Sequence, residues 1–533
     1  MLSRVNIHPI LCAAAITSRP RGYLMKFERS SGILLHPTSL PGQYGIGDLG
    51  RQAHLWIDFL AEAGCSLWQV LPLGPTGYGD SPYQCFSAFA GNPYLISPET
   101  LLVEDLLHPD DLVELPKFSR ERVDFGPVIS WKLNVLDRSF LRFQHLASAK
   151  MRQAYLSFQS QNKGWLDDFA LFMAIKEAHG GNPWPTWEAP LRDRQPQALA
   201  EARQKFEFAI QRQVYRQFLF FHQWQTLRDY AHENGIQIIG DIPIFVAHDS
   251  ADVWANPGLF YLDRQGKPTV VAGVPPDYFS PTGQLWGNPL YRWDVHQSAG
   301  YQWWIERMRA VLNLVDIVRL DHFRGFAGYW EVPGSAKTAE KGRWVPGPGK
   351  DFLRALKSSL GELPIIAEDL GVITPDVVDL RDSFDLPGMK ILQFAFAGGP
   401  KDPFLPHHYP VNCVVYTGTH DNDTARGWYE RVEEEEKSVY RRYLARDGSN
   451  VAWDLIRASW ASVAVFSLAP MQDFLNLGNE ARMNYPGNPS GNWTWRMPEG
   501  VLTNALSKRI FDLNYLYSRL NSIKVEQIEP EGE

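Results

Sequence analysis

What this chain has little of narrows the field before any motif is read. It carries four cysteines in 533 residues. Cys12, Cys65, Cys85 and Cys413 are scattered, with neither the spacing of a metal site nor that of a disulfide framework. Reduced thiols in a reducing compartment are expected. No apolar run approaches the roughly 18 residues that cross a bilayer, so a membrane partner is not expected. A basic excess is also missing. The net charge is -8, whereas a nucleic-acid partner demands a basic surface to neutralise phosphates. No HExxH and no Asp-rich calcium loop occurs, so neither a metal nor another cofactor is expected. Internal repeats and low-complexity segments are absent from the sequence.

What is present is aromatic. Phe, Trp and Tyr make up 13% of the chain, with 19 tryptophans and 21 tyrosines. Some must be core, but aromatics are also what stacks on flat apolar ring faces. Hydrophobic residues at 44% and charged residues at 21% describe an ordinary globular protein. The length exceeds that of most single domains, yet a (β/α)8 barrel with insertions reaches it.

Short apolar runs recur at Gly32–His36, Leu67–Leu73, Gln237–Ile244, Ile317–His322, Pro364–Asp369, Lys390–Phe396, Val414–His420 and Val463–Ala469. Several are continuous rather than alternating, as in strands covered on both faces. Amphipathic helices are expected between them, at Gly50–Ala63, Gln302–Leu314, Lys350–Leu360, Thr374–Arg381 and Asn450–Ala461. Strand followed by helix, repeated about eight times, is the pattern of an α/β fold, the (β/α)8 TIM barrel. Two gaps are too long for a plain crossover. The region 75–235 reads as a large inserted, mainly helical subdomain. The region 245–300 holds VVAGVPPDYFSPTGQLWGNPLY, Val270–Tyr291, whose Pro and Gly predict an active-site loop. The single catalytic barrel with these insertions is expected over 26–525.

The ends of the expected strands carry charge. DIVRLDHFRGF, Asp316–Phe326, opens as a buried strand and then places Arg319, Asp321, His322 and Arg324 close together. GDIPIF ends with Asp241 in reach, PIIAEDLG brings Glu368 and Asp369, and VVYTGTHDN brings His420 and Asp421. In a parallel barrel, C-terminal strand ends share one face, the face that carries active sites. Buried charge costs several kcal/mol unless paired or used. Carboxylates from four strand ends, with histidines and an arginine, point to a polar site in the barrel mouth. Glycoside cleavage needs this set: a nucleophile, a proton donor and groups that grip sugar hydroxyls. Arg319 lies two residues before Asp321, on the same side of the strand, and favours an ionised Asp321 as nucleophile. Glu368 has no such neighbour and suits a general acid of raised pKa. Asp369 points away from Glu368 and reads as structural.

These residues sit in motifs that resemble the 4-α-glucanotransferases called amylomaltase or disproportionating enzyme, glycoside hydrolase family 77, within the α-amylase-like barrel enzymes. The motifs are RSSGILLHPTSLPGQYGIGDLG, GYGDSPYQCFSAFAGNPYLI at Gly77–Ile96, GDIPIFV at Gly240–Val246, WGNPLY at Trp286–Tyr291, VRLDHFRG, AEDLG, THDNDT and LGNEARMNYPG, in that order over Phe27 to Leu520. The resemblance implies Asp321 as nucleophile, Glu368 as general acid/base and Asp421 as the transition-state stabiliser. It implies substrate contacts from Ser81, Tyr83, Asp241, Arg319, His322 and His420, and from Trp286 in a loop closing over the bound glucan. It implies α-1,4-glucans such as maltooligosaccharides as substrates, with a glucan or glucose as acceptor, and no cofactor. A plain α-glucan hydrolase on the same barrel, or a non-catalytic glucan-binding protein, are the rival readings.

The chain ends depart from this pattern. Residues 1–25 hold Arg4, Arg19 and Arg21 and no acidic residue; they are expected to be a disordered extension or a start placed too early, with Met25 the true start, in a cytoplasmic protein, or a targeting peptide, which would place it in a plastid. Residues 526–533 are expected to be a solvated acidic tail.

Overall fold

The computed structural model describes residues 27–276, 280–488 and 490–528. Its centre is a closed barrel of eight parallel strands. They are β1 (Ser30–Leu34), β2 (Leu67–Gln69), β3 (Gln237–Pro243), β4 (Ile317–Asp321), β5 (Ile365–Ala367), β6 (Gly388–Ile391), β7 (Cys413–Tyr416) and β8 (Phe466–Pro470). Each pairs with its sequence neighbours, and β1 closes on β8 with Gly32 opposite Leu468. All eight overlap the expected strands. The five expected helices form at Arg51–Glu62, Gln302–Leu312, Gly349–Leu360, Pro375–Asp382 and Val451–Ala461. The connection between β6 and β7 holds two 3-10 turns and no α-helix.

The barrel interior changes character along the strands. Leu67, Ile239, Ile317, Ile366, Val414 and Leu468, from six different strands, pack in one buried cluster. Side chains alternate sides along a strand, so positions two residues further on share that face. Those positions are Gln69, Asp241, Arg319, Glu368 and Tyr416, all buried. An apolar plug therefore carries a polar layer at the C-terminal end of the barrel.

The long segment between β2 and β3 holds helices Phe125–Leu146, Ala149–Gln161, Lys163–Ala178, Pro196–Lys205 and Glu207–Glu233. The segment expected as a loop at 270–291 is instead largely strand. Val270–Val274 and Gln284–Pro289 form an antiparallel pair, extended by Gly328–Pro333 and Arg343–Pro346 into a four-stranded sheet. The proline and glycine that suggested a loop sit mostly at the hairpin tip, in Pro275, Pro276, Pro281 and Gly283. Gly273 serves close approach: a Cβ there would lie 2.7 Å from the Gln284 carbonyl. The expected acidic tail is also shorter, because a helix runs over Ser522–Ile528. The N-terminal extension and residues 529–533 lie outside the described residues. No helix among the described residues is long and apolar enough to cross a membrane.

The β1–β8 seam is stapled chiefly by Arg519. Arg519, fully buried, donates to the carbonyls of Ser30 (2.8 Å), Ala464 (2.9 Å), Trp460 (2.9 Å), Val465 (3.2 Å) and Ser462 (3.2 Å). Arg519→Met removes these five hydrogen bonds at the seam, with Arg29 still donating to the Ala464 and Trp460 carbonyls, and is expected to cost about 2–4 kcal/mol, read as a lowered thermal midpoint. An unchanged midpoint would mean that the barrel closes without the staple.

Candidate active site

β3 and β4 set the centre of the site through their register, which places Asp241 directly beside Arg319. Both face the barrel interior. The Arg319 Nη1 lies 2.5 Å from Asp241 Oδ2 and 2.9 Å from Asp321 Oδ1. One nitrogen thus bridges two carboxylates. The Asp241 side chain is fully covered, whereas Asp321 keeps 27% of its side chain exposed. Burial works against the Arg319 charge, but Asp241 and Asp321 outweigh it and hold the guanidinium protonated. The Tyr83 hydroxyl donates to the same Asp241 oxygen at 2.9 Å. Burial raises the Asp241 carboxyl; Arg319 and the Tyr83 hydroxyl oppose this. With a guanidinium at 2.5 Å, Asp241 is the anion of this pair.

Glu368 follows the last residue of β5. Leu320 pairs with Ala367, so one more step of that register sets Asp321 opposite Glu368. Two backbone donors hold its carboxyl: His322 N–H to Oε2 at 2.7 Å and Leu370 N–H to Oε1 at 3.0 Å. His322 can aim its N–H there because it leaves the strand in the left-handed conformation, φ 53° and ψ 48°. A non-glycine residue in that region carries strain of about 1–3 kcal/mol. Burial pushes the Glu368 carboxyl up to about 8, with Arg319 and the two N–H groups pulling the other way and Asp321 adding to the rise. Two facing carboxyls thus have opposite surroundings, one ion-paired and partly open, one buried.

The remaining expected residues extend the cluster on both sides. Trp286, on strand Gln284–Pro289, meets His322 edge to face, with ring centres 4.8 Å apart. Tyr83 stacks on His420 at 5.1 Å and 19°. His420 Nε2 is 3.4 Å from Asp421 Oδ1, which also accepts from Asn484 Nδ2 at 2.7 Å. His420 and Asp421 were expected on β7, but β7 ends at Tyr416. They stand in a turn closed by Asn422 Oδ1, which accepts from the Thr419 N–H at 2.8 Å. Ser81 is not among the interlocked side chains. Its Oγ accepts from the Tyr83 N–H at 3.2 Å and so shapes the turn that presents Tyr83. Asp369 turns outward to Arg381 and to the Met389 N–H at 2.7 Å.

Burial pushes His322 down to about 3, helped by Arg324, and lowers His420 as well. Both imidazoles are neutral near pH 7. A pocket opens beside Asp241, lined by Tyr83, Phe245, Phe89 and Arg307. Among the described residues no cluster of three or more His, Cys, Asp or Glu side chains could hold a metal ion.

Three contributors went unassigned in the sequence. Asn484 holds Asp421, and Arg482 donates to the Asp421 carbonyl and pairs with Asp423. Both lie within LGNEARMNYPG, where a role could have been sought. Trp493 packs against Tyr83 at 5.8 Å and His420 at 5.9 Å. It stands in a Gly- and Asn-rich turn, and no local signal marks it.

A closed parallel barrel with an arginine-bridged carboxylate cluster at its C-terminal mouth defines an enzyme of the (β/α)8 class. The sequence profile of the 4-alpha-glucanotransferase family matches residues 35–503. The 4-alpha-glucanotransferase of Thermus thermophilus is 54% identical over 487 residues, covering 90% of this chain and 97% of that protein. The Synechocystis 4-alpha-glucanotransferase is 50% identical, covering 92% and 98%. The solved amylomaltase of Streptococcus agalactiae, in complex with acarbose, superposes with a TM-score of 0.90 at 40% identity, covering 93% of this chain and all of that one. The chain belongs to the 4-alpha-glucanotransferase family, and its activity is transfer between α-1,4-glucans.

Removing the central charge tests the cluster. Arg319→Met leaves Asp241 buried without its cation and is expected to cost about 3–5 kcal/mol. Adding Asp241→Asn should recover part of that loss. A double variant no more stable than Arg319→Met, by thermal or denaturant unfolding, would show that the pair is not what holds the site.

Proposed function

We propose that transfer proceeds by a retaining double displacement with Asp321 as nucleophile and Glu368 as acid and base. The observation that carries this reading is the split between the two carboxyls: Arg319 at 2.9 Å from Asp321, and burial raising Glu368 to about 8. The Asp321 carboxylate attacks the anomeric carbon while the Glu368 proton passes to the glycosidic oxygen. The bond to the leaving 4-hydroxyl breaks, and a glucosyl ester forms on Asp321. The 4-hydroxyl of an acceptor glucan or glucose then gives its proton to the Glu368 carboxylate and attacks the same carbon. Two inversions leave the α configuration intact.

Asp421 grips sugar hydroxyls of the distorted ring, held in place by Asn484. Asp241, Tyr83, His322 and His420 contact the sugar at the cleaved bond, and Trp286 covers it. Neutral imidazoles suit that task, because each can both donate to and accept from a hydroxyl. Maltooligosaccharides are the substrate class. The S. agalactiae amylomaltase bound to acarbose supports a sugar-shaped cleft at this barrel mouth. A reducing compartment, cytoplasmic or plastidial, suits the unpaired thiols of Cys65, Cys85 and Cys413.

Incubation with maltotriose tests the reading. Glucose plus a ladder of longer chains is expected, and Asp321→Asn should lose both. Glucose and maltose alone would assign a hydrolase, and full activity in the variant would remove Asp321 as nucleophile. The pH profile tests Glu368 separately. The acid must be protonated, so kcat/KM should hold below about pH 8 and fall as pH rises through it. Glu368→Gln is expected to lower kcat by about 10²–10⁴ and to abolish that limb. A limb that persists in the variant would belong to another group.

A further inference from the structure

Among the described residues, one of the 19 tryptophans is exposed by more than a third: Trp344, at 43%. It stands on Arg343–Pro346, the edge strand of the four-stranded sheet, opposite Trp330. Exposing so large an apolar ring forgoes burial that its neighbours obtain. The ring is nonetheless fixed. The Arg324 guanidinium lies 3.8 Å from its centre, covering one face. Trp330 meets it at 5.3 Å and 66°, and is itself locked by a 2.9 Å bond from Nε1 to the Ala339 carbonyl.

Arg324 ties this ring to the active-site mouth. It belongs to the turn that follows Asp321 and His322, and it donates to the Val372 carbonyl, in the segment that follows Glu368. Val372 is 56% exposed. A rigid tryptophan with one free face, beside an exposed valine, thus stands where the β4 and β5 connections leave the barrel mouth. We propose that Trp344 is a glucan-binding platform on the rim of the cleft, outside the carboxylate cluster, which stacks on a sugar ring of a chain extending from the site. The occupant follows from the activity: a glucan too long for the cleft must leave it across the rim, and pyranose rings offer apolar faces to an aromatic plane. A ring already held by Arg324 and Trp330 loses little rotamer freedom on binding.

The proposal rests on the glucan-transfer reading and deepens it. Its test compares maltotriose with long-chain amylose for the wild type, Trp344→Leu and Trp344→Phe. Leu keeps apolar cover on Arg324 but removes the flat face; Phe keeps a flat face. Trp344→Leu should raise KM for amylose roughly three- to tenfold while leaving maltotriose KM and kcat within twofold. Trp344→Phe should stay near the wild type on both. In an Asp321→Asn background, Trp344→Leu should also migrate faster through an amylose-containing native gel. Equal losses on both substrates would make Trp344 a support for the catalytic turn and overturn the proposal, as would unchanged amylose KM and migration. A wild type that builds no ladder from either substrate would instead refute the transfer reading itself.

Discussion

The site depends on one buried cation. Arg319 is 4% exposed and sits on a barrel strand with carboxylates on two sides. A guanidinium in that place is tolerable only because its charge is matched and its donors are used. The match has a direction. Asp241, fully covered, serves as the permanent counter-ion, braced by Tyr83. Asp321, partly open to the cleft, receives the rest of the field. Asp321 is thus ion-paired at 2.9 Å, whereas at Glu368, opposite it at the end of β5, burial outweighs the pull of Arg319. A single arginine thus joins two of the carboxylates into one network while the third keeps a burial-raised carboxyl.

The barrel makes that arrangement affordable in packing terms. Its lower interior is packed by aliphatic side chains from six strands, beneath the polar layer. Neighbouring strands are staggered so that Asp241 stands beside Arg319 and Asp321 beside Glu368. The placing of Asp321 opposite Glu368, the proposed nucleophile and acid, is thus a consequence of strand register. Asp321 and Glu368 lie at strand ends, while Trp286, Trp493 and Asp421 come from outside the barrel strands.

The strands and the inward carboxylates were legible because both obey simple periods. Continuous apolar runs marked β1 to β8, and the two-residue step from Arg319 to Asp321 already placed both on one face. What was not legible is non-local or opposes local propensity. Asp241 as the closer partner of Arg319 follows from β3–β4 register, which no single stretch encodes. His322 takes a left-handed backbone conformation that its residue type does not announce. The hairpin at 270–289 was hidden because the prolines and glycines of its tip outweighed the short apolar strand before it. Trp493 reaches Tyr83 from a turn more than four hundred residues away in the chain.

In the proposed mechanism, transfer rather than hydrolysis requires the glucosyl ester to meet a sugar hydroxyl before it meets water. The surroundings of Asp321 and Glu368 suit that requirement. His322 and His420 are buried and neutral, so they bring hydrogen-bonding capacity without an ion's hydration shell. Each is packed against an aromatic ring, His322 by Trp286 and His420 by Tyr83 and Trp493. A sugar can satisfy such groups with several hydroxyls held in one rigid ring, whereas a lone water satisfies few and is held in no fixed orientation. Orienting the acceptor can be worth up to about 7–11 kcal/mol. Under the proposed mechanism, a cleft lined by neutral imidazoles and aromatic rings around one ion-paired carboxylate would therefore favour the acceptor that fits it over the acceptor that is merely abundant.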